Sequence, residues 1–188
     1  SAGLRCVNLL PIPLGPAPFG RPCIDRFDHD GVDELGTKIV EVRARLDDVL
    51  AEIRRRSPHA EVYVVGYGQA YADEGPDADG CWPRAPMLTP DVHYIRAQLP
   101  QINAALADAV RTAGPGIRFV DTWALTAGHD VCKPPWEAWI NGASFDPAGI
   151  PAHPNIRYHD AMAGFLEQRT RADRGSEAAP SAASATRN

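Results

Sequence analysis

The sequence has 188 residues, 44% of them hydrophobic and 23% charged, a balance that excludes a globally disordered chain and a bundle of membrane helices. Its net charge is −5, so no broad basic face is offered to nucleic acid or anionic lipid. The 16 glycines and 18 prolines announce a loop-rich chain.

Residues 1–32 carry Pro11, Pro13, Pro16, Pro18 and Pro22 and are expected to be irregular, because each proline removes a donor and fixes φ. Leu9–Leu14 is apolar but cut by two of these prolines and lacks a basic flank, so it reads neither as a signal segment nor as a membrane span. Because the chain opens on Ser1, we expect a processed or excised chain, whose targeting segment would not be seen. From Gly31 to Arg56, Leu35, Ile39, Val42, Leu46, Val49, Leu50 and Ile53 step by three or four, the period of one helical face. Acidic Asp33 and Glu34 open this helix, and Arg54-Arg55-Arg56 close it in the order the macrodipole favours.

Ala60 to Gly66 is β-branched and apolar between Pro58 and Gly66, a buried strand. A loop to Leu88 follows. Thr89-Pro90-Asp91 reads as an N-cap with proline at the first helical position, opening a helix to Thr112 that Pro100 should kink or split. Ile117 to Val120 is a second strand; Thr122 to Ala152 is loop; Asn155 to Arg169 is a last helix with Met162, Phe165 and Leu166 inward. Residues beyond Arg171 are low-complexity and read as a disordered tail, so the domain is set at 1–170 and the tail at 171–188. The order implies an α/β layer fold with a parallel sheet, although two strands are fewer than an independent sheet needs.

Cys6, Cys23, Cys81 and Cys132 form no C-x-x-C pair and no zinc-ligand spacing. They read either as four reduced thiols or as two disulfides of an exported protein. The Pro- and Gly-rich surroundings of Cys23, Cys81 and Cys132 favour the second, with three connectivities open. In α/β folds sites form at the carboxyl ends of strands. After the first strand, Gly66-Tyr67-Gly68 reads as a glycine turn rather than a phosphate cradle. After the second, Gly128-His129-Asp130 is an active pair or a polar loop. His153, before Pro154 and a helix that Asn155 can cap, is a general-base candidate or a structural residue. His29, His59, His93 and His159 are scattered, and no carboxylate–histidine cluster is spaced for a metal, so no metal or cofactor is expected. Neither Ser57 nor Ser144 has the strand–turn–helix setting of an activated serine.

Taken together, Pro22-Cys23, the helix ending RRRSPHA, the strand VYVVGY, Cys81, the helix segment at Ile102–Leu106, FVDTWALTAGHDVC and the triplet His153-Pro154-Asn155 resemble the SGNH (GDSL) hydrolases, in particular secreted actinobacterial lipases and esterases. The resemblance covers about residues 1–168. It implies a three-layer flavodoxin-like sandwich with a parallel sheet, incomplete at its N-terminal side. It also implies disulfides Cys6–Cys23 and Cys81–Cys132, secretion, and His153 as the base that activates a serine. On loop-closure arithmetic those cystines would contribute about 3 and about 4 kcal/mol. The family's Gly-Asp-Ser, glycine and Gly-x-Asn-Asp blocks are absent and precede the position of Ser1 in its members. The family's acid lies three residues before the histidine, where Ile150 stands, so a backbone carbonyl or Asp146 would orient His153. The implied function is hydrolysis of a small or lipid carboxylic ester, with a missing N-terminal segment supplying the serine. Two alternatives are a non-catalytic binding module on the same scaffold and a complete enzyme using Ser144.

Overall fold

The computed structural model describes Cys6, residues 23–142 and residues 150–178. A short helix α1 (Ile24–Phe27) leads into a two-residue hairpin, β1 (Asp28–His29) and β2 (Val32–Asp33). The hairpin corrects the expectation of an irregular start. Asp30 and Gly31 turn it with φ of 53° and 75°, the pair of positive values that a type I′ turn demands. Asp33 ends β2 and caps α2 (Glu34–Arg56), accepting from Gly36 N at 2.9 Å.

Strands β3 (Val62–Val65) and β4 (Ile117–Val120) pair in parallel, Val62 opposite Ile117 and Val65 opposite Val120. The connection between them includes a 3₁₀ turn at Pro76–Asp79 and helix α3 (Thr89–Thr112), the crossover that parallel pairing requires. Pro100 does not split α3. Nor is Thr89 the cap: Leu88 occupies that position without a side-chain bond, and the Thr89 hydroxyl donates instead to the Asp79 carbonyl at 3.0 Å. Asp91, fully buried, ties α3 to α1 by accepting from Ile24 N at 3.1 Å.

Helices α2 and α3 share one face of the sheet. Leu50, Ala109, Val110 and Ile117 are buried there, with Leu46, Ile53, Val62, Val64 and Phe119 packed around them. Side chains alternate across a strand, so Tyr63 and Arg118 point to the opposite face. There Asp173 of α5 (Ile156–Ala178) accepts from Tyr63 Oη at 3.1 Å and pairs with Arg118 at 3.6 Å. The result is three layers around a parallel sheet.

Helix α5 runs to Ala178, so the boundary expected at 170/171 falls inside it and the first part of the expected tail is helical. Ion pairs Arg171–Glu167 (2.5 Å) and Arg169–Asp173 (3.8 Å) at helical spacing hold this last part, where apolar periodicity gives no signal. Residues 179–188 lie outside the described residues.

Two smaller clusters flank the sheet core. One gathers Tyr71, Ala85, Val92 and Val131 around the Cys81–Cys132 disulfide; the other gathers Phe27 with the Cys6–Cys23 disulfide.

Candidate functional site

Two loops leave the carboxyl ends of the strands, and short polar side chains bolt the first in place. Asn103 of α3 receives Tyr67 N at 2.7 Å and donates to Tyr67 O at 2.8 Å. The Thr122 hydroxyl donates to Gly66 O at 3.0 Å, and Thr126 Oγ1 accepts from Gln69 N at 2.8 Å. The glycines are there for space: a Cβ on Gly66 would lie 2.8 Å from Phe119, and one on Gly68 would lie 2.5 Å from Thr126. They serve close approach, as a glycine turn does, and leave no cradle for a phosphate.

The second loop includes the short helix α4 (Trp123–Thr126) and folds back as an antiparallel clip. Asn141 N donates to His153 O at 2.9 Å, Ala152 N to Asn141 O at 2.8 Å, and Asn155 N to Trp139 O at 2.8 Å. His153 sits exposed on the returning arm of this clip, opposite Asn141 and before α5. Its Nδ1 lies 2.9 Å from the Pro151 carbonyl. A carbonyl only accepts, so Nδ1 carries the proton, and Nε2 keeps its lone pair while the ring is neutral. A backbone carbonyl therefore orients the ring, one residue later than Ile150; Asp146, the other expected orienter, and Ser144 lie outside the described residues.

Asn155 fixes the clip to the helix. Its Oδ1 accepts from Arg157 N (3.0 Å) and Tyr158 N (3.3 Å), and its Nδ2 donates to Ala138 O (2.8 Å). Tyr158, its phenol pushed up by burial and pulled back by a hydrogen bond to Thr122, meets the residue that also holds Gly66. Thr122 thus touches both loops.

His129 and Asp130 do not act together. His129 stacks on Trp139 with ring centroids 3.9 Å apart and sets Nδ1 2.9 Å from Glu137 O. Buried Asp130 accepts from Cys132 N at 2.9 Å and faces Lys133 at 3.7 Å. Lys133 also donates to Asp77 at 2.5 Å, the contact that chiefly raises its pKa. The pair is a polar loop whose histidine stacks on Trp139. Of the other histidines, His29 faces Glu34 (3.2 Å) and His93 faces Asp79 (2.7 Å), both at the surface. Among the described residues no group of three His, Cys, Asp or Glu is placed to hold a metal, and no helix is long and apolar enough to cross a membrane.

Sequence reasoning missed Asn103, Thr122 and Thr126. The only available signal was a polar residue within a helix and threonines directly after a strand, which side-chain-to-backbone capping also uses.

The sequence profile of the GDSL-like Lipase/Acylhydrolase family matches residues 19–161. Lipase 2 of Streptomyces coelicolor is 35% identical over 149 residues, 77% of this chain and 46% of that one. Phospholipase A1 from Streptomyces albidoflavus superposes with a TM-score of 0.56 at 22% identity, covering 73% of this chain and 55% of that one. The extracellular lipase from Streptomyces rimosus gives 0.49 at 24% identity, covering 70% and 55%. The chain spans about half the length of the relatives it matches. It shares the fold of the phospholipase A1 and belongs to the GDSL-like lipase/acylhydrolase family.

Proposed function

We propose that this chain supplies the general base, His153, of an exported serine hydrolase acting on carboxylic esters, and that the serine and the oxyanion donors come from polypeptide outside residues 1–188. One observation carries the reading: the Pro151 carbonyl beside Nδ1 leaves Nε2 of the exposed His153 as an acceptor. Family membership supports ester hydrolysis. The two disulfides and the word extracellular in one structural relative's title support export. Relatives titled lipase and phospholipase A1 support a lipid or small ester as substrate.

The steps follow from that tautomer. The serine Oγ attacks the ester carbonyl as its proton passes to His153 Nε2. The tetrahedral adduct collapses, and Nε2–H delivers the proton to the departing alkoxide. Water then attacks the acyl-enzyme, gives its proton to Nε2, and the proton returns to the serine.

The 188-residue chain by itself is expected neither to turn over p-nitrophenyl esters nor to take up a fluorophosphonate label. In a longer form carrying the serine, His153→Ala is expected to lower kcat by on the order of 10²–10⁴-fold. Stoichiometric labelling of the isolated chain, or a His153→Ala rate equal to the parent's, would overturn the reading.

A further inference from the structure

We propose that Asn141-Gly142 is a site of spontaneous covalent modification, at which the asparagine converts to isoaspartate or aspartate and unlatches the clip that carries His153. The effect on catalysis rests on the reading of function above; the modification itself does not.

Asparagine is chemically labile where its side-chain carbonyl carbon meets the next main-chain nitrogen, and glycine obstructs that approach least. The sequence contains one Asn-Gly pair, Asn141-Gly142. The described asparagines differ in how firmly the amide is held. Asn103 makes two bonds to Tyr67, and Asn155 makes three, to Arg157 N, Tyr158 N and Ala138 O. Asn141 has one long contact, Nδ2 to Ile150 O at 3.4 Å, and among the described residues its Oδ1 accepts none. Ala104 and Ile156 follow the other two with a Cβ; Gly142 has none. Among the described residues no hydrogen bond engages the Gly142 amide either.

The fold holds this labile pair in place. A Cβ on Gly142 would lie 2.7 Å from Arg84 Cγ and 2.9 Å from Arg84 O, and a main-chain oxygen cannot give way as a flexible side chain does. Packing therefore demands the glycine. Asn141 stands opposite two residues of the returning arm: its N donates to His153 O at 2.9 Å, and its O accepts from Ala152 N at 2.8 Å. One residue facing two is a β-bulge, whose first position in this form takes the left-handed backbone that glycine usually supplies. Here Ala152 takes it, with φ of 60°, a strained conformation for a residue with a side chain. That strain lowers the cost of opening the clip, and opening frees the Asn141 main chain to turn toward its own side chain.

The chemistry needs only water. Gly142 N loses its proton to solvent and attacks Asn141 Cγ; the Cγ–Nδ2 bond breaks and the amide nitrogen leaves as ammonia. Water then opens the resulting succinimide. Opening at Cγ leaves aspartate. Opening at the former main-chain carbonyl leaves isoaspartate, in which the chain runs through Cβ and Cγ. The chain is then longer by a methylene, and the carbonyl that received Ala152 N has become a carboxylate off the main chain. The bulge loses its register, and with it the frame that sets the Pro151 carbonyl against His153 Nδ1.

The test ages the chain at mildly alkaline pH, digests it and locates each lost amide by mass spectrometry, with an isoaspartyl methyltransferase to label the isomer. Asn141 should convert faster than Asn103 and Asn155 by on the order of tenfold or more, because their hydrogen bonds must break first. Amide exchange on the aged chain should show protection lost at Asn141 and Ala152 and kept at Val62 and Gly66. Asn141→Gln, whose attack needs a larger ring, should stay unmodified over the same incubation with both amides protected. In a longer form carrying the serine, ester hydrolysis should fall in step with isoaspartate, while the Asn141→Gln form keeps its own starting rate. The proposal is overturned if Asn103 or Asn155 converts as fast, if the aged chain keeps Asn141 and Ala152 protected, or if hydrolysis is indifferent to conversion. Conversion with both protections lost, in a longer form that never hydrolyses esters, refutes the functional reading and leaves the modification site standing.

Discussion

At the scale of single residues, Asn155 does more for the candidate site than its neighbour His153 shows. One amide caps α5 with its oxygen and grips Ala138 with its nitrogen, so backbone clip and helix share one anchor. Asn155→Ala should cost about 1–2 kcal/mol in a urea titration; Asn155→Asp, which keeps the cap and loses the donor, should cost less. Tyr71 offers a pH prediction. Burial pushes its phenol up to about 12 against an unfolded value near 10. The unfolded chain therefore releases this proton first. Its contribution is intact below about pH 10 and is lost as pH rises toward 12, so unfolding free energy should decline across that window and Tyr71→Phe should flatten the decline. The cap at Asn155 was legible because a capping asparagine ahead of a helix leaves a local mark. Asn103 was not, since its partner Tyr67 lies 36 positions away and nothing in an amphipathic period announces a bond to a distant loop.

At the scale of elements, what was legible followed from periodicity. The end of α3 at Thr112 and the limits of β4, Ile117–Val120, stand where the sequence puts them, because Gly114-Pro115-Gly116 separates the helix from the strand. The start of α2 differs by three residues, taken up by the hairpin: Asp30-Gly31 is a strong type I′ signal, but strands of two residues carry no alternation to go with it. The end of α5 differs because ion pairs rather than apolar residues hold it. Leu50 joins α2, α3 and β4 in one buried contact, and its exposure is 1%. Leu50→Ala should cost about 3 kcal/mol by leaving a cavity, whereas Val49→Ala, on the exposed flank, should change stability by no more than about 0.5 kcal/mol. Paired denaturation curves of the two variants check both values.

At the scale of the molecule, stabilisation is divided between two kinds of chemistry. The helix–sheet core holds by apolar packing and contains no cystine, while each of the two flanking clusters is built around one. Cys81–Cys132 spans 51 positions and Cys6–Cys23 spans 17, so opening the first should release about 4 kcal/mol and opening the second about 3, measurable as separate losses in Cys→Ser pairs. Where those bonds lie matters more than their sum. Cys81 belongs to the segment following β3 and Cys132 to the segment following β4, so a single covalent tie gathers the two walls that rise from the carboxyl edge of the sheet. A reducing milieu would therefore act on this protein unevenly. The helices and the strand pair would persist, and far-ultraviolet spectra would register little, while the rim bearing His153 lost its fixed outline. The oxidation state of one bond would decide whether a well-folded scaffold also has a working surface.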